Sequence, residues 1–315
     1  MTNSILLTGG FGNLGGRFSA HLHYIGDAEI TLATRRPRTA PPWAPKAEVR
    51  ICDLVDLESL KRACQGIDTI FHFAALNDRQ CLSDPITAHQ TNVIGTANLI
   101  NAAISCGVRH IVYMSTIHVY GAPLIGHIDE SCPTKPSHPY GLTHLEAENV
   151  IRERSTEISS TIIRSGNGFG LPMTADVDIW HIIVNDLCVQ AVRDKKLVLK
   201  SPSNTERNFI TIQDICRALH FVGVESTCPS SSVTFNLGSI QSRTLREMSE
   251  LVAKQSLEVL GSRPEIVETV ERSVSETKLD FDSTALRSRG FSTQEDFEVE
   301  IEGILKLVKK TYVEK

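Results

Sequence analysis

Tyr140 and His144 stand four residues apart in Pro139-Tyr140-Gly141-Leu142-Thr143-His144, a spacing that puts a phenol and an imidazole on one face of a helix. Free in water the phenol titrates near pH ~10 and the imidazole near ~6.5. A phenol in this position can give a proton to a carbonyl or take one from an alcohol. The other histidines carry less. His21 and His23 are two apart on an expected helix and point in different directions, which does not suit a shared metal. No cluster of cysteines or carboxylates completes a metal site, so none is expected.

A second chemical signal opens the chain. The short apolar run Ser4-Ile5-Leu6-Leu7-Thr8 leads directly into Gly9-Gly10-Phe11-Gly12-Asn13-Leu14-Gly15. Glycines at 9, 12 and 15 allow a tight turn, close approach of backbone to a pyrophosphate, and tight packing of the following helix on its strand. The phosphates would lie at the helix N-terminus, among unpaired N–H groups and the positive end of the dipole. At the end of the second expected strand stands Thr34-Arg35-Arg36, where an NAD site usually carries an acidic residue for the ribose 2'-hydroxyl. Guanidinium groups attract a 2'-phosphate and favour NADP over NAD. The alternative is a solvated basic loop, since Pro37, Arg38, Pro41 and Pro42 follow. Asp53 is placed either to meet the adenine amino group or to cap a helix.

These residues need a frame, and the apolar periodicity supplies one. Strand-like runs at 5–8, 30–34, 49–52, 69–74, 110–115 and 160–164 alternate with helical spacing at 57–64, 86–105 and 142–154. Such alternation predicts an α/β chain with right-handed crossovers: a Rossmann-like, doubly wound parallel sheet that binds ligands beyond the carboxyl ends of its strands. The second half loses the alternation and reads as a smaller, interleaved C-terminal substrate-binding lobe. The expected division is a dinucleotide-binding domain over 1–166, with 208–238 returning to it, and a lobe made of 167–207 and 239–315. With 315 residues, 41% of them hydrophobic, and no long apolar stretch, the chain is expected to be globular without a membrane span. A net charge of −5 and no lysine-rich tract argue against nucleic acid as partner. Eight scattered cysteines without a CxxC pair, and no visible secretory signal, point to a reducing cytoplasm.

The ordered matches Thr8-Gly9-Gly10-Phe11-Gly12-Asn13-Leu14-Gly15, Phe71-His72-Phe73-Ala74-Ala75, Asp84-Pro85, Asn92-Val93-Ile94-Gly95-Thr96 and Met114-Ser115-Thr116-Ile117-His118-Val119-Tyr120-Gly121 make the chain similar to a known family. Further matches are Pro139-Tyr140, Arg164-Ser165-Gly166-Asn167-Gly168-Phe169-Gly170, Arg207-Asn208-Phe209-Ile210, Asp214 and Phe235-Asn236-Leu237-Gly238. Over most of its length it resembles the extended short-chain dehydrogenase/reductase family, most closely the nucleotide-sugar epimerases, dehydratases and ketoreductases. The resemblance implies that Tyr140 is the proton-transfer tyrosine and Thr116 the hydroxyl that hydrogen-bonds the substrate oxygen. It also implies that Gly9, Phe11, Gly12, Asn13, Leu14, Gly15, Thr34, Arg35, Arg36, Asp53, Leu54, Phe73, Ala74, Ala75, Asn92, Ser115, Tyr140 and His144 line the cofactor. His144 stands where the family carries a lysine that favours phenolate and holds the nicotinamide ribose. Neutral imidazole stabilises phenolate less but can still bond a ribose hydroxyl.

Three outcomes follow for the chemistry: an enzyme with a shifted pH optimum, one relying on other groups, or a weakly active cofactor-binding protein. For the second, His118 matches the position of an epimerase base, and His181, in the segment 178–187 expected to open a helix, is the opposing acid, a helix residue facing solvent or a nucleotide contact. Asn167 and Arg207 are implied to meet the nucleotide and its pyrophosphate. The function expected is therefore NAD(P)-dependent oxidation, reduction or epimerisation of a nucleotide-activated keto sugar. The alternatives are reduction of a non-nucleotide carbonyl compound and an NADP-binding regulatory role. A homodimer built on the helices 86–105 and 142–154 is expected from the family.

Overall fold

The computed structural model describes residues 3–226, 229–272 and 278–312; Cys228 lies outside them. The chain divides into two compact units, one of 1–122, 132–165 and 216–236 and another of 123–131, 166–215 and 237–315.

The first unit is built on a seven-stranded sheet. Its strands include β1 (Asn3–Thr8), β2 (Ala28–Thr34), β3 (Glu48–Ile51), β4 (Thr69–His72) and β5 (His110–Thr116), followed by strands Ser159–Ser165 and Ser232–Leu237. The order across the sheet is Ser232–Leu237, Ser159–Ser165, β5, β4, β1, β2, β3. The pairs β3 with β2, β2 with β1, β1 with β4, β4 with β5 and β5 with Ser159–Ser165 are all parallel. This is the Rossmann-like doubly wound sheet that the alternation predicts, and the strand order reverses between β1 and β4. The last four residues of β1 and all four of β4 are buried, as expected where helices cover both faces. One face packs Leu6, Ile70, Ile111 and Ile162 against Leu60, Leu99, Ala103, Ala147 and Ile151. On the Phe71 side, the Phe18 and Phe71 rings lie 4.6 Å apart.

The expected helix over 86–105 is interrupted. It consists of helical segments Pro85–His89 and Gly95–Ser105 joined by a π-helical stretch, Gln90–Ile94. Gly95 lies so close to Leu54 that a Cβ there would stand 2.8 Å from the leucine Cβ. Pro139–Glu153 forms one helix, opened by Pro139 at its first turn and by the His138 ring, which accepts from the Tyr140 N–H at 3.2 Å.

In the second unit, helices Ile183–Arg193, Leu245–Leu260 and Phe297–Tyr312 bury Val184, Leu187, Cys188, Met248, Val252, Ile301, Ile304 and Val308 in a common core. Two-stranded pairings tie its segments together, among them Asn167–Phe169 with Phe209–Thr211 and Glu206–Arg207 with Arg243–Thr244. The Leu245 helix opens on a capping box formed by Thr244 and Glu247. One expectation needs correction here. The helix read from 178 begins only at Ile183, because Trp180 Nε1 donates to the Ala175 carbonyl at 3.0 Å and the turn before Ile183 folds on itself.

Candidate active site

The glycine run forms the turn its spacing predicts. Gly9 has φ +68°, a region that L side chains rarely adopt, and a Cβ on it would stand 3.0 Å from the backbone of Phe73 and Ala74. The Gly12 N–H closes the turn on the Gly9 carbonyl at 2.9 Å. Gly15 is the tightest point, since a Cβ there would sit 2.2 Å from the Gly9 oxygen. The helix Asn13–Ile25 starts at Gly12 with no side-chain cap and no acidic residue in its first turn. Its first N–H groups are therefore available to an anion. Asn13 Oδ1 beside them is buried and has no hydrogen-bond partner. A glycine cradle and an uncapped helix start, whose N–H groups can donate, fit a dinucleotide pyrophosphate.

Around this turn the other candidates take different places. Thr34 Oγ1 donates to the Arg36 carbonyl at 3.0 Å, while the Arg35 and Arg36 side chains are exposed. The Arg38 guanidinium lies over the Phe11 ring, 5.0 Å from its centroid. Asp53 does not cap the helix that follows; Asp56 does, accepting from the N–H groups of Glu58 and Ser59. Asp53 instead accepts from Val55 N–H at 3.1 Å. Leu54 is buried in the core, and Phe73, Ala74 and Ala75 follow β4, where Thr8 Oγ1 accepts from the N–H groups of Phe73 and Ala74. Asn92 is committed to the scaffold. Its Oδ1 accepts from Leu76 N–H at 2.8 Å and its Nδ2 donates to Thr143 Oγ1 at 3.1 Å.

Four candidates from distant stretches of sequence meet at the carboxyl end of β5. Thr116 is the last residue of β5, and its side chain lies near enough to the Tyr140 phenol to favour its ionised form slightly. His118 lies in the 3-10 turn Ile117–Tyr120, its ring 6.2 Å from that of Tyr140. The two segments approach through Gly141, where a Cβ would stand 2.5 Å from the His118 carbonyl oxygen. The His144 ring meets that of Tyr140 edge-on at 4.5 Å. Burial pushes the Tyr140 phenol up to about 12, and the nearby Asp78 and Cys81 act in the same direction against a smaller opposing effect of Thr116. Burial also takes the His144 imidazole down to about 4, Glu148 opposing and His118 assisting. Both groups are thus neutral near pH 7.

Behind the site lies a buried ion pair. Glu148, one turn beyond His144, accepts from Arg164 Nη2 at 2.7 Å and Nε at 3.0 Å, from Arg152 at 2.7 Å and from Ser115 Oγ at 2.5 Å. Arg164 also donates to the Tyr120 hydroxyl at 2.9 Å, and Tyr120 in turn donates to Asn236 at 2.7 Å. Ser115 therefore spends its hydroxyl on this network, which locks the end of β5 to the Tyr140 helix.

In the second unit, Asn167 Oδ1 and Arg207 Nε are buried without partners. His181 sits in the turn before the Ile183 helix, its Nδ1 3.5 Å from Asp178 Oδ1. Sequence reading missed Arg243. It pairs with Arg207 across the antiparallel strands Glu206–Arg207 and Arg243–Thr244, its Nε is also buried and unpartnered, and its guanidinium covers Phe297 at 5.1 Å. Two guanidinium groups in register, each with an unused donor, are suited to bridging phosphate oxygens. Nothing in the local sequence marks Arg243, because the pairing depends on strands that lie far apart along the chain.

Comparison with known proteins adds the family. The sequence pattern of the NAD dependent epimerase/dehydratase family matches residues 5–238. A UDP-glucose 4-epimerase of Rhizobium leguminosarum bv. trifolii is 27% identical over 286 residues, covering 85% of each chain. A low-salt glycan biosynthesis protein of Haloferax volcanii is 26% identical over 307 residues, covering 93% of this chain and 94% of that one. Among solved structures, the UDP-glucose 4-epimerase of Thermus thermophilus in complex with NAD superposes with a TM-score of 0.80 at 21% identity, over 97% of this chain and 99% of the other; this likeness is one of fold. With the pattern matched from β1 to the far edge of the sheet, the chain belongs to the NAD dependent epimerase/dehydratase family.

Proposed function

We propose that this protein is a nicotinamide-dependent enzyme that oxidises, reduces or epimerises a nucleotide-activated sugar, with Tyr140 and Thr116 as its proton-transfer pair. The observation that carries the reading is the gathering of Thr116, His118, Tyr140 and His144 at the end of β5, in a chain whose relatives are named UDP-glucose 4-epimerases. A bound nicotinamide supplies or accepts the hydride. This chain's residues do the rest. Thr116 orients the substrate oxygen and the phenol, and Tyr140 gives its proton to that oxygen during reduction. The residues expected to hold the dinucleotide are Gly9, Phe11, Gly12, Asn13, Leu14 and Gly15 at the pyrophosphate, with Asp53, Phe73, Ala74 and Ala75 beside it. Arg207 and Arg243 suit the sugar nucleotide's diphosphate and Asn167 its nucleotide. In this reading the first unit is the dinucleotide-binding domain and the second the substrate lobe.

The exposed pair Arg35 and Arg36 supports NADP as the cofactor, although the Thermus relative was solved with NAD. Epimerisation assisted by His118 is the second reading, supported by the 6.2 Å approach of its ring to Tyr140. No helix among the described residues is long and apolar enough to cross a membrane. A reducing cytoplasm suits the free thiols of Cys52 and Cys64, which burial pushes up to about 12. Exposed Ile86, Ile94 and Leu142 on the helical segments 85–94 and 139–153 support a homodimer through those faces. Mass spectrometry of co-purified ligand, then titrations with NADP, NAD and UDP-, GDP-, CDP- and dTDP-sugars, tests the reading. Saturable binding of a sugar nucleotide together with a dinucleotide supports it; dinucleotide binding with no response to any sugar nucleotide overturns it.

A further inference from the structure

His144 is more than a missing cation, because something holds it. Tyr113, in the middle of β5, places its hydroxyl 2.8 Å from His144 Nδ1. Both side chains are buried, Tyr113 2% and His144 3% exposed, and His144 Nε2 has no partner. Either tautomer leaves one buried donor of the pair without a conventional acceptor, the Tyr113 hydrogen or Nε2–H, but the T-shaped approach of the His144 ring to Tyr140 gives Nε2–H an aromatic face to meet. Donation from Tyr113 to Nδ1 makes that nitrogen the acceptor, so the proton of the neutral ring resides on Nε2. The ring is then an uncharged N–H donor seated edge-on to Tyr140.

The charged and titratable groups around this pair do not replace the absent cation. Asp78 and Cys81, from the short helix Asp78–Ser83, oppose phenolate at Tyr140. His118, from the 3-10 turn, opposes charge on His144. Glu148, on the Tyr140 helix, is occupied by Arg164 and Arg152. His72 of β4, whose ring is 5.6 Å from Tyr113, is held between Thr8 and Thr96. His89 and Glu146, on the outer side of the same helices, face each other at 3.5 Å.

We infer that Tyr113 fixes His144 as a neutral Nε2–H donor, so that Tyr140 acts at neutral pH as a proton donor to a carbonyl and becomes a base toward alcohols only in alkaline solution. This rests on the reading of Tyr140 given above and adds a direction to it. In the reductive step a hydride from a reduced nicotinamide bonds to the carbonyl carbon, the π electrons pass to oxygen, and that oxygen takes the Tyr140 proton. The phenolate left behind recovers a proton from water. The reverse step needs phenolate at the outset, which the Tyr113–His144 arrangement does nothing to favour. Tyr113 is a positioning residue: it acts through His144.

The test separates this inference from the function itself by reading the side chains in cofactor-free protein. Imidazole NMR of the parent, with His144 assigned by His144→Gln, is expected to show a neutral ring carrying its proton on Nε2 at pH 6. Tyr113→Phe is expected to mix the two tautomers. The ultraviolet difference between parent and Tyr140→Phe is expected to show no phenolate at residue 140 up to pH 10, and His144→Lys to bring that signal to lower pH. With a working substrate, reduction is expected to be flat from pH 6 to 9, while alcohol oxidation rises about tenfold per pH unit. A charged His144 at pH 6, a proton on Nδ1, an unchanged tautomer in Tyr113→Phe, phenolate at Tyr140 below pH 10 in the parent, or a flat oxidation profile would each overturn it. Failure of every sugar nucleotide to bind would instead count against the function and leave the NMR and ultraviolet results standing.

Discussion

Replacing Arg164 with methionine removes the guanidinium from Glu148 while keeping a side chain of similar length. The carboxylate is fully buried and Arg164 is 4% exposed. Breaking a buried ion pair from one side typically costs about 3–5 kcal/mol, because a charge is left without its partner. Two compensations remain here, since Arg152 still donates at 2.7 Å and Ser115 at 2.5 Å. Tyr120 loses the donor at 2.9 Å but keeps its own bond to Asn236. The low end of the range, about 3 kcal/mol, is therefore expected. Glu148→Leu should cost a similar amount by orphaning Arg164. The double change should cost less than the sum of the two, with a coupling of at least ~1 kcal/mol. Urea unfolding followed by circular dichroism gives the midpoints. A loss below ~1 kcal/mol for Arg164→Met, or additive single changes, would show that this pair does not lock β5 to the Tyr140 helix.

Acid should weaken the fold through buried imidazoles. His72, His110 and His144 are each at most 3% exposed, and burial lowers them to about 3, 4 and 4. The unfolded chain takes protons first, so their stability is present above pH ~6.5 and is lost as pH falls toward the folded values. At pH 5 this amounts to on the order of 5 kcal/mol for the three together, and a melting temperature that did not fall between pH 7 and 5 would refute it. Gly15→Ala should cost about 1–3 kcal/mol and weaken dinucleotide binding at least ~tenfold, since its methyl would meet the Gly9 oxygen at 2.2 Å; fluorescence titration with reduced cofactor reads the second effect. Arg207→Ala and Arg243→Ala should each raise the Kd for a sugar nucleotide about tenfold or more while leaving dinucleotide binding unchanged. Equal losses for both ligands would contradict the role given to these arginines.

The sheet was legible because its central strands are buried on both faces and so read as short unbroken apolar runs, as in Ile5-Leu6-Leu7 and Ile111-Val112. The glycine turn was legible because backbone contact there tolerates no side chain. The meeting of Thr116, His118, Tyr140 and His144 could be named from the family pattern. Their tether could not, since Tyr113 has the sequence context of any apolar strand residue and its hydroxyl gains meaning only from the helix laid across it. Tertiary packing also overrode the local pattern between 86 and 105, where a π-helical stretch carries Asn92 to its partners at Leu76 and Thr143. Helical spacing from 178 was misleading in a different way, because Trp180 bonds back to Ala175 and delays the helix past His181. Arg243 escaped notice for want of any local signal, its meaning coming from Arg207 across a two-residue pairing.

Transfer of the proton carried by Tyr140 is the step on which the proposed chemistry depends most directly. Single-turnover reduction of a keto sugar nucleotide by the reduced dinucleotide, in the parent and in Tyr140→Phe with cofactor affinity measured alongside, isolates it. A fall of at least ~100-fold in the reduction rate with the cofactor Kd unchanged is the predicted result. A Tyr140→Phe variant that reduces the sugar as fast as the parent would contradict it.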